Sequence, residues 1–139
     1  VKIIHLTRRN LLRTVISMLV AAKTGVYAAH DQKQLPKNAS IEIDTEDCVQ
    51  RMKRIQEYER QVREWFSHHS VHEMVYEDLV DHQDIETDQV LKFIGVDTLP
   101  LQGRMIRQSK SLRDSVLNFD ELVTALNDTE FESLLTSGN

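Results

Sequence analysis

The sequence predicts an α/β fold, with a short parallel sheet and a mostly helical remainder. Three observations carry this. Val1–Thr7 is a short apolar run with β-branched residues and polar flanks, which predicts a buried parallel strand. Directly after it, Asn10 is a good helix cap, and Leu11, Leu12, Val15, Ile16, Leu19, Val20 and Ala22 recur as one helical face, predicting a helix to about Ala28. Val71–Leu79 then reads as a second strand ending in Tyr-Glu-Asp, followed by a short helix over His82–Gly95 that Gly95 stops. Strands alternating with helices in this order point to the α/β class.

The remaining elements follow from the same rules. His30–Ser40 is polar, contains a proline and reads as a loop. Ile41–Asp44 is a short extended piece, after which Asp44 or Thr45 caps a long helix to about His68. Val49, Met52, Ile55, Tyr58, Val62, Trp65 and Phe66 mark its apolar stripe, expected to be core. Val96–Gly103 is a loop around Pro100, and Arg104–Arg113 is basic without a clear period. Asn118 or a residue nearby is expected to cap a helix over Phe119–Leu126, Asn127–Thr129 to break it, and Glu130–Leu135 to form a last short helix.

A chain of 139 residues bounds one domain at most and is long enough for a core. No apolar run approaches the roughly 20 residues of a membrane span. The single cysteine, Cys48, excludes an internal disulfide framework, suits a reducing compartment and is expected to be buried in its helix. His5 reads as a core histidine. His68, His69 and His72 straddle a helix end and lack the partners of a metal site, so no metal is expected.

The net charge of −5 is uneven. Residues 1–30 carry Lys2, Arg8, Arg9, Arg13 and Lys23 without an acid, whereas residues 41–90 hold fourteen acids against five bases. Arg104, Arg107, Lys110 and Arg113 then form a second basic island. Two islands in an acidic chain argue against nucleic acid, which calls for a broad basic face, and suit a compact anion held between distant segments. Arg8 and Arg9 stand at the mouth of a helix, where unpaired amides and the dipole favour an anion. Ser17 follows Arg9 by eight residues, or roughly 10–12 Å along the helix. An extended arginine largely spans that distance, so both side chains can address one phosphate.

In three blocks the residues resemble the sulfotransferase family that uses 3′-phosphoadenosine 5′-phosphosulfate (PAPS). Lys2-Ile-Ile-His-Leu-Thr-Arg-Arg-Asn10 followed by Ser17 is similar to the family's strand–Arg-Asn–helix–Ser element. Val75-Tyr-Glu-Asp-Leu79, trailing into Val90–Gly95, resembles its Tyr-Glu-Asp segment before a short helix. Arg107-Gln-Ser-Lys-Ser-Leu-Arg-Asp114, leading to Asn118-Phe-Asp-Glu-Leu122, is similar to its late phosphate loop. Gln108 and Ser109 depart there from the Lys-Gly of cytosolic members. The wording is closer to bacterial carbohydrate sulfotransferases.

The resemblance implies a P-loop-NTPase-like three-layer fold, with PAPS as sulfuryl donor and a small-molecule or carbohydrate-like hydroxyl as acceptor. It implies that Arg9 and Ser17 bind the 3′-phosphate, that Tyr76 lies by the adenine, and that Arg107, Gln108 and Ser109 belong to the late phosphate loop. The chain starts with Val, and no Gly/Ser/Thr-rich phosphosulfate loop occurs in it. Residues 1–139 are accordingly expected to be the C-terminal part of a single sulfotransferase domain, inactive alone, with its catalytic residues upstream. A cytoplasmic location is expected, or the Golgi lumen for a membrane-anchored parent. Two other readings stay open: a nucleotide-kinase-like enzyme needing ATP and Mg²⁺, and a non-catalytic helical protein contacting partners through Gln50–Phe66.

Overall fold

Residues 1–27, 40–99 and 111–137 are described by a computed structural model. The order of elements is β1 (Lys2–Thr7), α1 (Leu11–Thr24), α2 (Thr45–Trp65), β2 (Ser70–Val75), α3 (Tyr76–Asp81), α4 (Gln83–Ile94), α5 (Leu112–Ser115) and α6 (Phe119–Leu126), closed by a 3₁₀ turn over Glu132–Leu135. Among the described residues this is an α/β chain with a two-stranded parallel sheet and a mostly helical remainder. Val1–Arg9 and Glu57–Arg107 make one compact unit, and Asn10–Gln56 with Gln108–Asn139 make a second.

The first unit holds the sheet. β1 and β2 pair in parallel from Lys2↔Ser70 to Thr7↔Val75, a constant offset of 68 residues. A parallel pair cannot be joined by a tight turn, and the chain between these strands carries α1 and α2. The expected burial of β1 is not observed. Ile4 is 44% and Leu6 51% exposed. Two strands have too few neighbours to cover both faces, and Met74 is the buried apolar residue of this sheet. His5 is mostly buried, with Nδ1 3.0 Å from Glu73. At the start of the sheet Lys2 donates to the Phe93 carbonyl at 2.6 Å and lies over that ring. Gly95 ends α4 in the left-handed region at φ 85°, as its place in the sequence predicts. The second strand, in contrast, stops at Val75. Tyr76, Glu77 and Asp78 open α3 instead of ending a strand, and the two carboxylates stand in a first turn, where the helix dipole favours them.

The second unit holds the hydrophobic core, built from Leu12, Val15 and Ile16 of α1, Ile41, Ile43, Cys48 and Met52, Leu112 and Val116, Leu122 and Leu126 of α6, and Phe131. Gly25 caps α1 at φ 73° and ends it earlier than Ala28. Asp44 caps α2, its Oδ1 accepting from the Glu46 and Asp47 amides at 2.9 and 3.0 Å. Ile41 bridges to Val116, and Ser111 caps the short α5, which has no period long enough to read in advance. α6 has the predicted bounds, but the Asn118 side chain makes no capping bond, turning to the backbone of Ile43.

The α2 stripe is core only in its first half. Cys48 and Met52 are buried, whereas Tyr58 and Trp65 are 57% and 65% exposed. Helical spacing identifies an apolar face, but not whether the same chain covers it.

Candidate functional site

The sheet's last pair, Thr7↔Val75, brings the arginine turn next to the start of α3, and the side chains meet there. The Arg8 guanidinium lies over the Tyr76 ring, 4.6 Å from its centroid, a cation–π stack. Arg8 Nε also donates to Glu77 Oε1 at 3.3 Å. The second oxygen, Oε2, accepts the backbone N–H of Arg9 at 3.1 Å. One carboxylate thus holds a side chain and a main-chain donor of the same turn. Arg8 and Glu77 are largely buried, at 24% and 16% side-chain exposure.

Arg9 points outward. Its side chain is 61% exposed, and Nη2 donates to both Asp78 oxygens, at 2.7 and 2.6 Å. That hydrogen bond, then the Asp78 charge and the fields of Glu77 and Asp81, raise the guanidinium's pKa, so Arg9 is a permanent cation. The turn therefore presents an exposed positive charge on a backbone fixed from below. A planar guanidinium of this kind is suited to bidentate recognition of a phosphate or carboxylate.

The structure thus brings Arg9 and Tyr76 together in the first unit, joined through Arg8 and Glu77. Ser17 lies on α1 in the second unit and is partly exposed. Arg107, Gln108 and Ser109 lie outside the described residues. The sequence places Arg8 at the anion-binding mouth beside Arg9 but gives no role to Glu77 and Asp78. The signal was present in two adjacent arginines after one strand and two adjacent acids after another, but it becomes legible only with the parallel register. Among the described residues no group of three or more His, Cys, Asp or Glu is placed to hold a metal, and no helix is long and apolar enough to cross a membrane.

A model of the sulfotransferase family matches residues 1–100, well over half of the chain and including β1, the arginine turn and the Tyr76–Asp78 segment. The chain belongs to the sulfotransferase family. Neither a curated protein nor a solved structure matches it. Sulfuryl transfer is therefore the family chemistry against which the arginine turn is to be read.

Proposed function

We propose that this chain binds the adenosine and 3′-phosphate of PAPS in a sulfotransferase that modifies a hydroxyl of a carbohydrate-like acceptor. One observation supports this above the others: a turn fixed by Glu77 that holds Arg9 exposed and charged, next to an Arg8 stacked on Tyr76. In this reading Arg9 holds the 3′-phosphate, and Ser17 and Arg107 add donors to it, with Gln108 and Ser109 in the same loop as Arg107. Tyr76 adjoins the adenine. Arg8 covers one ring face, so the base uses the other face or the ring edge. The P-loop-like three-layer fold of the family belongs to this same reading.

The reaction is in-line transfer. The acceptor hydroxyl attacks sulfur and forms the new S–O bond, the bond from sulfur to the phosphate oxygen breaks, and 3′,5′-ADP leaves as a base takes the hydroxyl proton. The residues named here hold the nucleotide at both ends of that step. No proton transfer is assigned to them. A 3′-phosphate contact favours PAPS over ATP, which has none.

Calorimetry with 3′,5′-ADP and 5′-AMP tests the reading. The chain is expected to prefer 3′,5′-ADP, and Arg9→Ala and Ser17→Ala to erase that preference while 5′-AMP binding stays unchanged. Equal affinity for the two nucleotides in the unsubstituted chain would sink the assignment.

A further inference from the structure

Within the 3′-phosphate reading of Arg9, on which this inference rests, we propose that Asp78 is a built-in competitor for the phosphate, to which the Arg9 guanidinium returns when 3′,5′-ADP leaves. Nη2 of Arg9 is committed to both Asp78 oxygens at 2.7 and 2.6 Å. A phosphate that takes this nitrogen must displace the carboxylate or sit beside a like charge, which opposes both. The neighbouring Glu77 cannot play this part. Its two oxygens are spent on Arg8 Nε and the Arg9 amide, and it is largely buried. Asp78 is more open, at 36% exposure, and its partner is the exposed end of a long side chain. The two adjacent carboxylates thus divide the work: Glu77 fixes the backbone of the turn, and Asp78 holds its charge in reserve.

The arrangement has a kinetic consequence. Before the nucleotide arrives, Asp78 keeps Arg9 from collapsing onto other acids of an acid-rich segment. As the 3′-phosphate begins to leave, the carboxylate recaptures the guanidinium and makes departure easier. 5′-AMP, lacking that phosphate, leaves the pair intact and is indifferent to it.

The test is 3′,5′-ADP and 5′-AMP binding to the full chain carrying Asp78→Asn, Arg9→Ala, or both, with dissociation rates followed by stopped flow and folding checked by circular dichroism. Asp78→Asn is expected to tighten 3′,5′-ADP about three- to fivefold, the scale of an exposed ion pair, chiefly through slower dissociation. Its effect on 5′-AMP should be nil, and in the Arg9→Ala background it should vanish. Asp78→Ser repeats the test with a shorter neutral side chain. Unchanged or weaker 3′,5′-ADP binding in both Asp78 variants, with Arg9→Ala still harmful, overturns the competitor and leaves Arg9 on the phosphate. Unchanged binding in Arg9→Ala overturns both.

Discussion

Asn10 and Leu134, 124 residues apart, are joined by a hydrogen bond of 2.9 Å from the Asn10 amide to the Leu134 carbonyl. The same amide nitrogen donates to the Ser137 carbonyl at 2.6 Å, and the side-chain oxygen accepts from the Arg13 N–H at 3.0 Å, capping α1. Asn10 is 4% exposed, so its own amide is away from water, whereas Leu134 is half-buried and Ser137 exposed.

The first prediction separates its two roles. Asp caps a helix as well as Asn, but has no donor for the two carbonyls and brings a buried charge. Asn10→Asp is therefore expected to destabilise the chain at least as much as Asn10→Ala, by about 1–3 kcal/mol, through the lost hydrogen bonds to the two carbonyls and the buried charge rather than through the cap. Urea unfolding of the two variants measures this. An Asp variant within about 0.5 kcal/mol of the parent would reduce Asn10 to a simple cap.

A second asparagine does for Ile43 what a neighbouring strand would do. Asn118 Oδ1 accepts the Ile43 N–H at 3.0 Å and Nδ2 donates to the Ile43 carbonyl at 2.8 Å. Ile43 is buried, so Asn118→Ala leaves both backbone groups without partners. The expected loss is about 2–4 kcal/mol by urea unfolding. The adjacent Leu117→Ala, at an exposed position, should change stability by less than about 0.5 kcal/mol.

These two asparagines show what was legible in advance. Both were read as helix caps from their place before an apolar period, a local signal, and both stand at helix starts. Neither long-range bond could be read, since nothing local encodes a partner 75 or 124 residues away. The same boundary runs through the rest of the chain. Gly95 as a stop, the α6 bounds and the burial of Cys48 are local and agree with the structure. The strand expected over Val71–Leu79 runs past the start of α3 at Tyr76 because Tyr76 and Leu79 continue the β-rich pattern of Val71, Met74 and Val75, and Tyr58 and Trp65 are exposed because periodicity does not report coverage. At the arginine turn, Arg9 and Tyr76 stand out in the sequence one at a time, while their links through Arg8 and Glu77, and the Arg9–Asp78 pair, follow only from the strand register.

Cys48 supplies a pH prediction. Burial, and to a lesser degree the Asp47 charge, push its thiol up to about 11 from an ordinary 9.0. Below pH 9.0 neither the folded nor the unfolded chain ionises there, and stability is complete. As pH rises from 9.0 towards 11 the unfolded thiol ionises first, so this contribution is lost with rising pH. Denaturant midpoints should fall across that window in the parent and fall less in Cys48→Ala. At pH 8 a thiol-exchange reagent should label the native chain only as fast as it opens. Rapid labelling without denaturant would contradict the burial.

The last prediction opposes two neighbouring carboxylates. Glu77 ties Arg8 and the Arg9 amide together, so its loss loosens the turn that aims Arg9, whereas loss of Asp78 frees the guanidinium. Glu77→Gln keeps one acceptor oxygen and turns an N–H₂ group towards a donor, costing about 1–2 kcal/mol of stability. It should also weaken 3′,5′-ADP about three- to tenfold, since an arginine that must be re-aimed gives up part of its binding energy to ordering. Asp78→Asn should move affinity the other way with little change in stability, because its pair with Arg9 is solvent-exposed. Parallel calorimetry and urea unfolding on the two variants decide it. Equal and same-signed shifts in affinity would mean that the two acids act as one undifferentiated negative patch, and that the register-built contacts of Glu77 have no special part in holding the turn.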